Sequence, residues 1–142
     1  MALTKIIGEG IDGGTISTKT AGTGNLILGS TAGDSIASGG DNNTCVGRNA
    51  GTAITTGVQN ILIGGLAGDA LTDADYNVAI GYGALSSDTQ GSNSVAIGRF
   101  ALVSQNLTSD TNSQNTAVGY NSGNAVTTGT KNTFVGAEAG DG

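Results

Sequence analysis

A short phrase that mixes polar and apolar positions recurs along this chain from residue 25 onward. It reads Asn-x-x-aliphatic-Gly-x-x-Ala with small variations, and it appears seven times. The glycines that end the strand-like part of each copy lie 18, 17, 17, 17, 21 and 17 residues apart. A period this nearly fixed is typical of an architecture in which each repeat stacks on the one before it. These glycines are Gly29, Gly47, Gly64, Gly81, Gly98, Gly119 and Gly136.

The repeats favour strands over helices. Each apolar run is short, contains many β-branched residues and ends in Gly, and all three features disfavour a helix. We therefore predict an all-β protein, a parallel β-roll or β-solenoid of about seven coils whose stacked strands lie about 4.8 Å apart. Connectors 52–57 and 124–129 are predicted to form a second, weaker strand, and the longest connector, 103–114, is predicted to bulge outward as a loop.

The first part of the chain does not carry the phrase. Residues 1–24 are predicted to be an N-terminal leader that attaches or caps the array, because the terminal units of stacked arrays differ from internal ones. Residues 25–142 are predicted to form the repeat β-roll domain.

The strand residues alternate between the two sides of each coil. The residue before each Gly, such as Val46 or Ile80, is a branched aliphatic residue in every copy, which indicates the coil interior. The residue two positions earlier is predicted to share that side. The residue between them is apolar in every copy, and it is predicted to point outward, away from the coil.

An outward apolar row has a consequence for assembly. A coil of about 17 residues encloses a thin core, and a long exposed apolar stripe marks an interaction surface. We therefore predict a homo-oligomer in which this row forms the interface between chains. The row consists of Ile27, Cys45, Leu62, Ala79, Ala96, Ala117 and Phe134.

Two polar features of the repeat have competing interpretations. Asn begins six of the seven copies, which suggests a ladder of stacked side chains or, alternatively, a ligand or ion site. Cys45 is the single cysteine and lies at a position that is apolar in the other copies. It is interpreted as a small apolar residue in preference to a reactive thiol.

The composition excludes several classes of function. The chain has no histidine, so Ser-His and Cys-His pairs and imidazole metal sites are excluded, and we expect no enzyme and no cofactor. Its net charge is −6 and its five basic residues form no cluster, which argues against a nucleic-acid partner. No stretch approaches the roughly 18 apolar residues of a membrane span.

Two small groups of residues remain as candidates for binding. Asp69, Asp73 and Asp75 are the best candidates for a cation site, although a solvated turn is the preferred interpretation and no metal is predicted. Tyr82 and Tyr120 share the repeat position after Gly. They are interpreted as a packed corner, with contact to a saccharide as the alternative.

The repeat resembles two groups of known proteins. Asn93-Ser94-Val95-Ala96-Ile97-Gly98 resembles the head repeat of trimeric autotransporter adhesins, a left-handed parallel β-roll that trimerises. The segments 115–120 and 132–140 resemble repeats in tail fibres and other virion structural proteins of tailed phages. The opening of the chain, residues 1–6, is also similar to the openings of phage fibre proteins.

The phage resemblance implies a non-enzymatic virion structural protein, a short trimeric tail fibre or fibre module assembled in the host cytoplasm. It implies three partners: two further copies of the chain, other virion proteins through residues 1–24, and host surface polysaccharide or protein. The head of a bacterial surface adhesin is the alternative, although this sequence shows no signal peptide, stalk or anchor. An ice-binding solenoid is disfavoured because no regular Thr-x-Thr row is present.

Overall fold

The computed structural model describes residues 16–17 and 20–141, and within them it is an all-β parallel solenoid of about six turns without a helix. Eight strands form one sheet in the order β1-β2-β3-β4-β5-β7-β9-β10, and β6 pairs with β8. The strands are β1 (Ile16–Ser17), β2 (Leu26–Leu28), β3 (Thr44–Val46), β4 (Ile61–Ile63), β5 (Val78–Ile80), β6 (Gly91–Ser92), β7 (Val95–Ile97), β8 (Thr111–Asn112), β9 (Thr116–Val118) and β10 (Thr133–Val135).

The sequence repeat sets the register of the main sheet. Cys45 of β3 lies opposite Leu62 of β4, and every other parallel pair of this sheet also joins equivalent positions of two repeats. The register holds across the longest interval, where Ala96 of β7 pairs with Ala117 of β9. The predicted fold class is therefore confirmed at the level of a parallel solenoid built from the repeats.

Each coil contributes a single strand to this sheet. The prediction of a second strand at 52–57 and 124–129 is wrong, because both connectors form turns and bends. A second pair of strands occurs elsewhere, where β6 and β8 pair in parallel. The connector 103–114 bulges only in part, because its residues 108–110 are exposed while Gln105 and Leu107 are buried.

Glycine ends each strand because two coils meet there at backbone distance. Gly64 has φ 131°, and a Cβ placed on it would lie 2.6 Å from the carbonyl oxygen of Gly81 in the next coil. Both the backbone conformation and the close approach exclude a side chain at this position. The glycine lets the backbone change direction after the strand while adjacent coils stay in close contact.

The interior of the solenoid is lined by the middle residue of each strand, and this corrects the predicted sidedness. Cys45, Leu62, Ala79, Ala96 and Ala117 are fully buried within one chain. Ile27 is also buried, and Phe134 packs partly buried against the same core. The row predicted to contact other chains, here called the strand-centre row, is therefore the core of each chain: Ile27, Cys45, Leu62, Ala79, Ala96, Ala117 and Phe134.

The asparagines that precede the strands explain this sidedness. Asn60 is fully buried, and its Oδ1 accepts a hydrogen bond from the backbone N–H of Asn77 at 2.9 Å. Its Nδ2 donates to the Ala74 carbonyl at 2.8 Å, across its own coil. Because residues two apart in a strand share a side, an inward Asn60 places Leu62 inward as well.

The asparagine ladder is confirmed as a structural feature. The same carboxamide-to-backbone bond links Asn25 to Asn43, Asn43 to Asn60, and Asn115 to Asn132. The buried amides satisfy one another and the backbone, which is what a buried polar row requires. The ligand interpretation of this row has no support in these contacts.

The beginning of the array is covered by a strand of opposite direction. β1 pairs antiparallel with β2, with Ile16 opposite Leu28. Most of the leader, residues 1–15 and 18–19, lies outside the described residues, so the boundary at residue 24 and the role of the leader stay predictions. No helix among the described residues has the length and apolar character needed to cross a membrane.

Candidate interaction surfaces

The side of the main sheet that faces away from the core is apolar. Its residues flank the strand centres, and we call this surface the outer face. None of its residues is buried and none is charged. The outer face consists of Leu26, Thr44, Ile61, Val78, Val95, Thr116 and Thr133 in one row, and Leu28, Val46, Ile63, Ile80, Ile97, Val118 and Val135 in the other.

The outer face exposes large aliphatic side chains in an acidic chain. Leu26 is 47% exposed, Ile63 is 38% exposed and Val135 is 71% exposed. A contiguous stripe of this kind is more informative than single exposed apolar residues, which are common on protein surfaces. The sequence therefore predicted an apolar stripe but assigned it to the wrong residues, because the outer face and not the strand-centre row meets the solvent.

A second surface lies on the corner that follows the strands. Tyr82, Arg99 and Tyr120 occupy the same repeat position in three successive coils, and Phe100 lies beside Arg99. The Arg99 guanidinium carbon lies 4.1 Å from the centre of the Phe100 ring and 5.7 Å from that of Tyr120. The rings of Tyr82 and Phe100 meet edge to face at 5.7 Å. We call these four residues the corner patch.

The corner patch is more open than the sequence indicated. Tyr82 is 45% exposed and Tyr120 is 44% exposed, so the interpretation of these residues as a packed corner is wrong. Phe100 is half-buried because Gly83, in the preceding coil, leaves room for its ring. The contribution of Arg99 was not recognised from the sequence, although its shared position with the two tyrosines was visible there.

The three aspartates singled out as a cation site are not brought together as a ligand set. Asp75 Oδ1 accepts a hydrogen bond from the Val58 N–H at 2.8 Å, and Asp73 bonds to Thr72 and Gln90. Burial raises the pKa of the Asp69 carboxyl, whose Oδ1 has no hydrogen-bond partner. Among residues 20–141, no group of three or more Cys, Asp or Glu side chains is placed to hold a metal ion.

A buried polar pair interrupts the apolar core. Asp88 and Gln105 occupy the position that carries Ile54 and Leu71 in earlier coils, and both are fully buried. Gln105 Nε2 donates to Asp88 Oδ2, while Asp88 Oδ1 accepts from the backbone N–H of Leu107 at 2.9 Å. This carboxylate is enclosed by hydrogen-bond donors and has no open approach, so the pair organises the core and offers no site.

Gln105 of this pair also supplies hydrogen bonds at the one coil where the asparagine ladder lacks an asparagine. Ser94 replaces Asn in its coil and is too short to span it. Gln105 bonds to Ser94 Oγ at 3.1 Å, and the Asn115 amide donates to Gln105 Oε1 at 2.7 Å. The glutamine thereby supplies the amide that the serine lacks.

Cys45 is enclosed in the core, as the sequence indicated. Its side chain is fully buried, and burial raises the pKa of its thiol to about 12. The thiolate is the reactive form of cysteine, so both the access of reagents and the ionisation of the thiol are suppressed in the folded chain.

We expect Cys45 to resist labelling in the native protein. At pH 8, a thiol-reactive disulfide reagent should modify the folded chain at least about a hundredfold more slowly than the chain in 6 M guanidinium chloride, since burial raises the pKa of the thiol from its ordinary value of 9.0 to about 12. Release of the chromophore measures the rate. Labelling at the same rate in both states would contradict the burial of this side chain.

The features described above are surfaces and a packed core. They do not test the prediction that the chain is not an enzyme, which stays a prediction. No protein-family description, no curated protein and no solved structure matches this chain.

Proposed function

We propose that this protein is a non-enzymatic structural module of a phage virion, a short trimeric tail fibre or part of one. The observation that carries the proposal is the outer face, an uncharged apolar surface that runs along the whole stack of coils. The resemblance of segments 115–120 and 132–140 to repeats of phage fibres supports the same assignment. Further copies of the chain are the proposed occupants of the outer face.

The dimensions of the outer face favour identical partners. Seven stacked strands of three residues make a stripe about 30 Å long and about 10 Å wide, or about 300 Å². The row of the outer face that precedes the glycines is branched aliphatic in every coil, so an identical rod placed alongside in register presents an equivalent residue to each coil. Three such narrow stripes can meet at one axis, and the number three follows the resemblance to trimeric repeats.

The energetics of this contact make it sensitive to charge. Burying about 300 Å² of apolar surface contributes about 7 kcal/mol per chain, which is similar to the entropic cost of association. A single charge trapped without a partner in such a contact costs several kcal/mol. One charged side chain on the outer face is therefore sufficient to dissociate the assembly.

We expect Ile63→Lys to convert the oligomer into single chains without unfolding them. Ile63 is 38% exposed in one chain, so the coil itself tolerates a longer polar side chain there. The measurement is size-exclusion chromatography with light scattering, together with circular dichroism. Lysine is chosen because it lowers the net negative charge, so dissociation cannot result from added repulsion between acidic chains.

The matched control is Thr56→Lys, which adds the same charge at an exposed residue of a connector. This variant should keep the oligomeric state of the wild-type chain. A wild-type chain that is monomeric at all concentrations would overturn the proposed assembly.

The virion assignment has its own test. We propose that residues 1–24 join the array to other virion proteins, and that the projecting part contacts host surface polysaccharide or protein. Mass spectrometry of purified phage particles should find the chain in the particle fraction, and cross-linking should join residues 1–24 to another virion protein. Absence of the chain from the particles would remove the assignment while leaving the trimer untouched.

A second function, the head of a trimeric bacterial adhesin, is favoured by the phrase at residues 93–98. It predicts that the encoding gene continues into a stalk and a membrane anchor. Sequencing of the complete gene separates the two proposals.

A further inference from the structure

The corner patch combines two kinds of surface chemistry that proteins use together to bind ligands. Tyr82 and Tyr120 present aromatic rings that are each nearly half exposed. Arg99 is exposed between them, on the coil that separates theirs. Aromatic rings offer large, rigid apolar faces at low entropic cost, while a guanidinium offers a planar fork of donors that matches a carboxylate.

Adjacent coils hold the patch in a fixed geometry. The Phe100 N–H donates to the Tyr82 carbonyl at 3.0 Å, and the Asn121 N–H donates to the Arg99 carbonyl at 3.0 Å. The spacing of the three corner residues is thus set by the stacked backbone, and the two tyrosines lie about 10 Å apart along the stack. Phe100 supports the guanidinium from beneath at 4.1 Å.

The charge of Arg99 is not neutralised within the described part of the chain. The partners of its guanidinium there are the rings of Phe100 and Tyr120, and no carboxylate pairs with it. Glu138 lies on the coil beyond Tyr120, where its N–H donates to the Tyr120 carbonyl at 2.7 Å. The exposed Arg99 guanidinium is therefore available to pair with a carboxylate of a ligand at its end of the patch.

We propose that the corner patch binds an acidic saccharide. The carboxylate of a uronic acid pairs with the Arg99 guanidinium, and the apolar C–H faces of the sugar rings lie on Tyr82 and Tyr120. An extended oligosaccharide suits the patch because its aromatic positions follow one line along the stack. This inference rests on the polysaccharide contact of the proposed function and names its chemical class and site, but it does not depend on the trimer, because all four residues belong to one chain.

The probe is oligogalacturonate, and its fully methyl-esterified form is the matched neutral ligand with the same backbone. Isothermal titration calorimetry on the full chain should detect binding of the acidic oligosaccharide, with an affinity at least about tenfold higher than for the ester. Arg99→Gln should lower the affinity for the acid at least about tenfold and remove the preference between the two ligands. Tyr120→Ala should lower the affinity for both by about fivefold.

Two control variants separate the patch from general effects. Arg48→Gln removes an exposed arginine from the same repeat position in a coil without these rings, and Tyr76→Ala removes an exposed tyrosine from another corner. Both should bind like the wild-type chain. Circular dichroism of each variant establishes that it is folded, and light scattering on the same samples reports the oligomeric state.

Three results would overturn the proposal. The first is equal binding of the acid and its ester, and the second is an equal loss of affinity in Arg48→Gln and Arg99→Gln. The third is a change of oligomeric state in Tyr120→Ala with no saccharide bound by the wild-type chain, which would assign the patch to the contact between chains. Failure of the trimer itself leaves the saccharide measurements unchanged, so the two proposals fail separately.

Discussion

We expect the double variant Ala79→Leu/Leu85→Gly to be nearly as stable as the wild-type chain, although each substitution alone should be destabilising. The reason is a volume exchange between the strand-centre residue and the corner residue six positions later. The coil that carries Leu62 at its centre has Gly68 at the corner, and a Cβ on Gly68 would lie 2.8 Å from Leu62 Cδ2. The coil with Ala79 at its centre has the fully buried Leu85 at the corner.

The same exchange recurs along the stack. Ala96 is matched by the buried Leu102 in the next coil. Ala117 and Gly123 are both small, and side chains of the two neighbouring coils fill the space beside them. A Cβ on Gly123 would lie 2.9 Å from Leu102 Cδ2 and 2.9 Å from Phe134 Cδ2. The coils centred on Leu62, Ala79 and Ala96 therefore each hold one large and one small residue at these two positions.

The single substitutions disturb that balance in opposite directions. Ala79→Leu adds a second large side chain and should cost about 2–3 kcal/mol through overpacking. Leu85→Gly leaves a cavity in its coil, which should lower the free energy of unfolding by about 2–4 kcal/mol. Part of this loss is offset, because Leu85 has a left-handed backbone at φ 55° that costs roughly 1–2 kcal/mol and that glycine adopts without strain. The double variant restores one large residue and a glycine, so it should lie within about 1.5 kcal/mol of wild type.

Urea denaturation followed by circular dichroism, on all four chains, gives the coupling between the two sites. The control pairs Ala79→Leu with Ile36→Ala, a buried core residue three coils away. Those two effects should add within about 0.5 kcal/mol. Additive losses in the Ala79→Leu/Leu85→Gly chain would show that the two positions do not share one space.

Asn60→Ala should lower the free energy of unfolding by about 4 kcal/mol, since it leaves two buried backbone groups without partners at about 1–3 kcal/mol each. The orphaned groups are the N–H of Asn77, now bonded to Asn60 Oδ1 at 2.9 Å, and the carbonyl of Ala74, now bonded to Asn60 Nδ2 at 2.8 Å. Thermal and urea unfolding measure the loss.

Asn132→Ala is the matched control at the same repeat position in the last coil. It removes a single hydrogen bond, from Asn132 Nδ2 to Asn115 Oδ1 at 3.1 Å. Asn115 Oδ1 still accepts a hydrogen bond from the backbone N–H of residue 132, so no buried acceptor loses its last partner. The expected loss is under about 1 kcal/mol. Equal losses in the two variants would contradict the view that the ladder acts by joining successive coils.

The sequence contained more about sidedness than the strand pattern alone revealed. A uniform row of branched aliphatic residues, such as Val46 and Ile80, is typical of a core, and this led to the inverted assignment. The asparagine ladder carried the opposite information, because Asn43 and Cys45 are two residues apart and share a side. A row of stacked carboxamides needs enclosure and partners, so it was the stronger indicator of the interior.

The corner patch and the buried pair of Asp88 and Gln105 could not be predicted from the sequence, for a different reason. Arg99 approaches Phe100 and Tyr120 only because successive coils align the corners, and Gln105 reaches Ser94 only because the longer connector folds partly inward. The aspartate cluster shows the converse, since Asp69, Asp73 and Asp75 are close in sequence, yet Asp73 and Asp75 bond to separate neighbours and Asp69 Oδ1 has no partner.

By itself, the sequence determined the strand of each repeat, the parallel register of these strands, the glycine at each corner and the buried cysteine, because a fixed period forces equivalent residues to stack. Only the tertiary structure decided which face of each strand is enclosed, since closing a narrow coil leaves room inside for one side chain per strand and sends its two flanking neighbours outward. The apolar face offered to partners is the consequence of that closure.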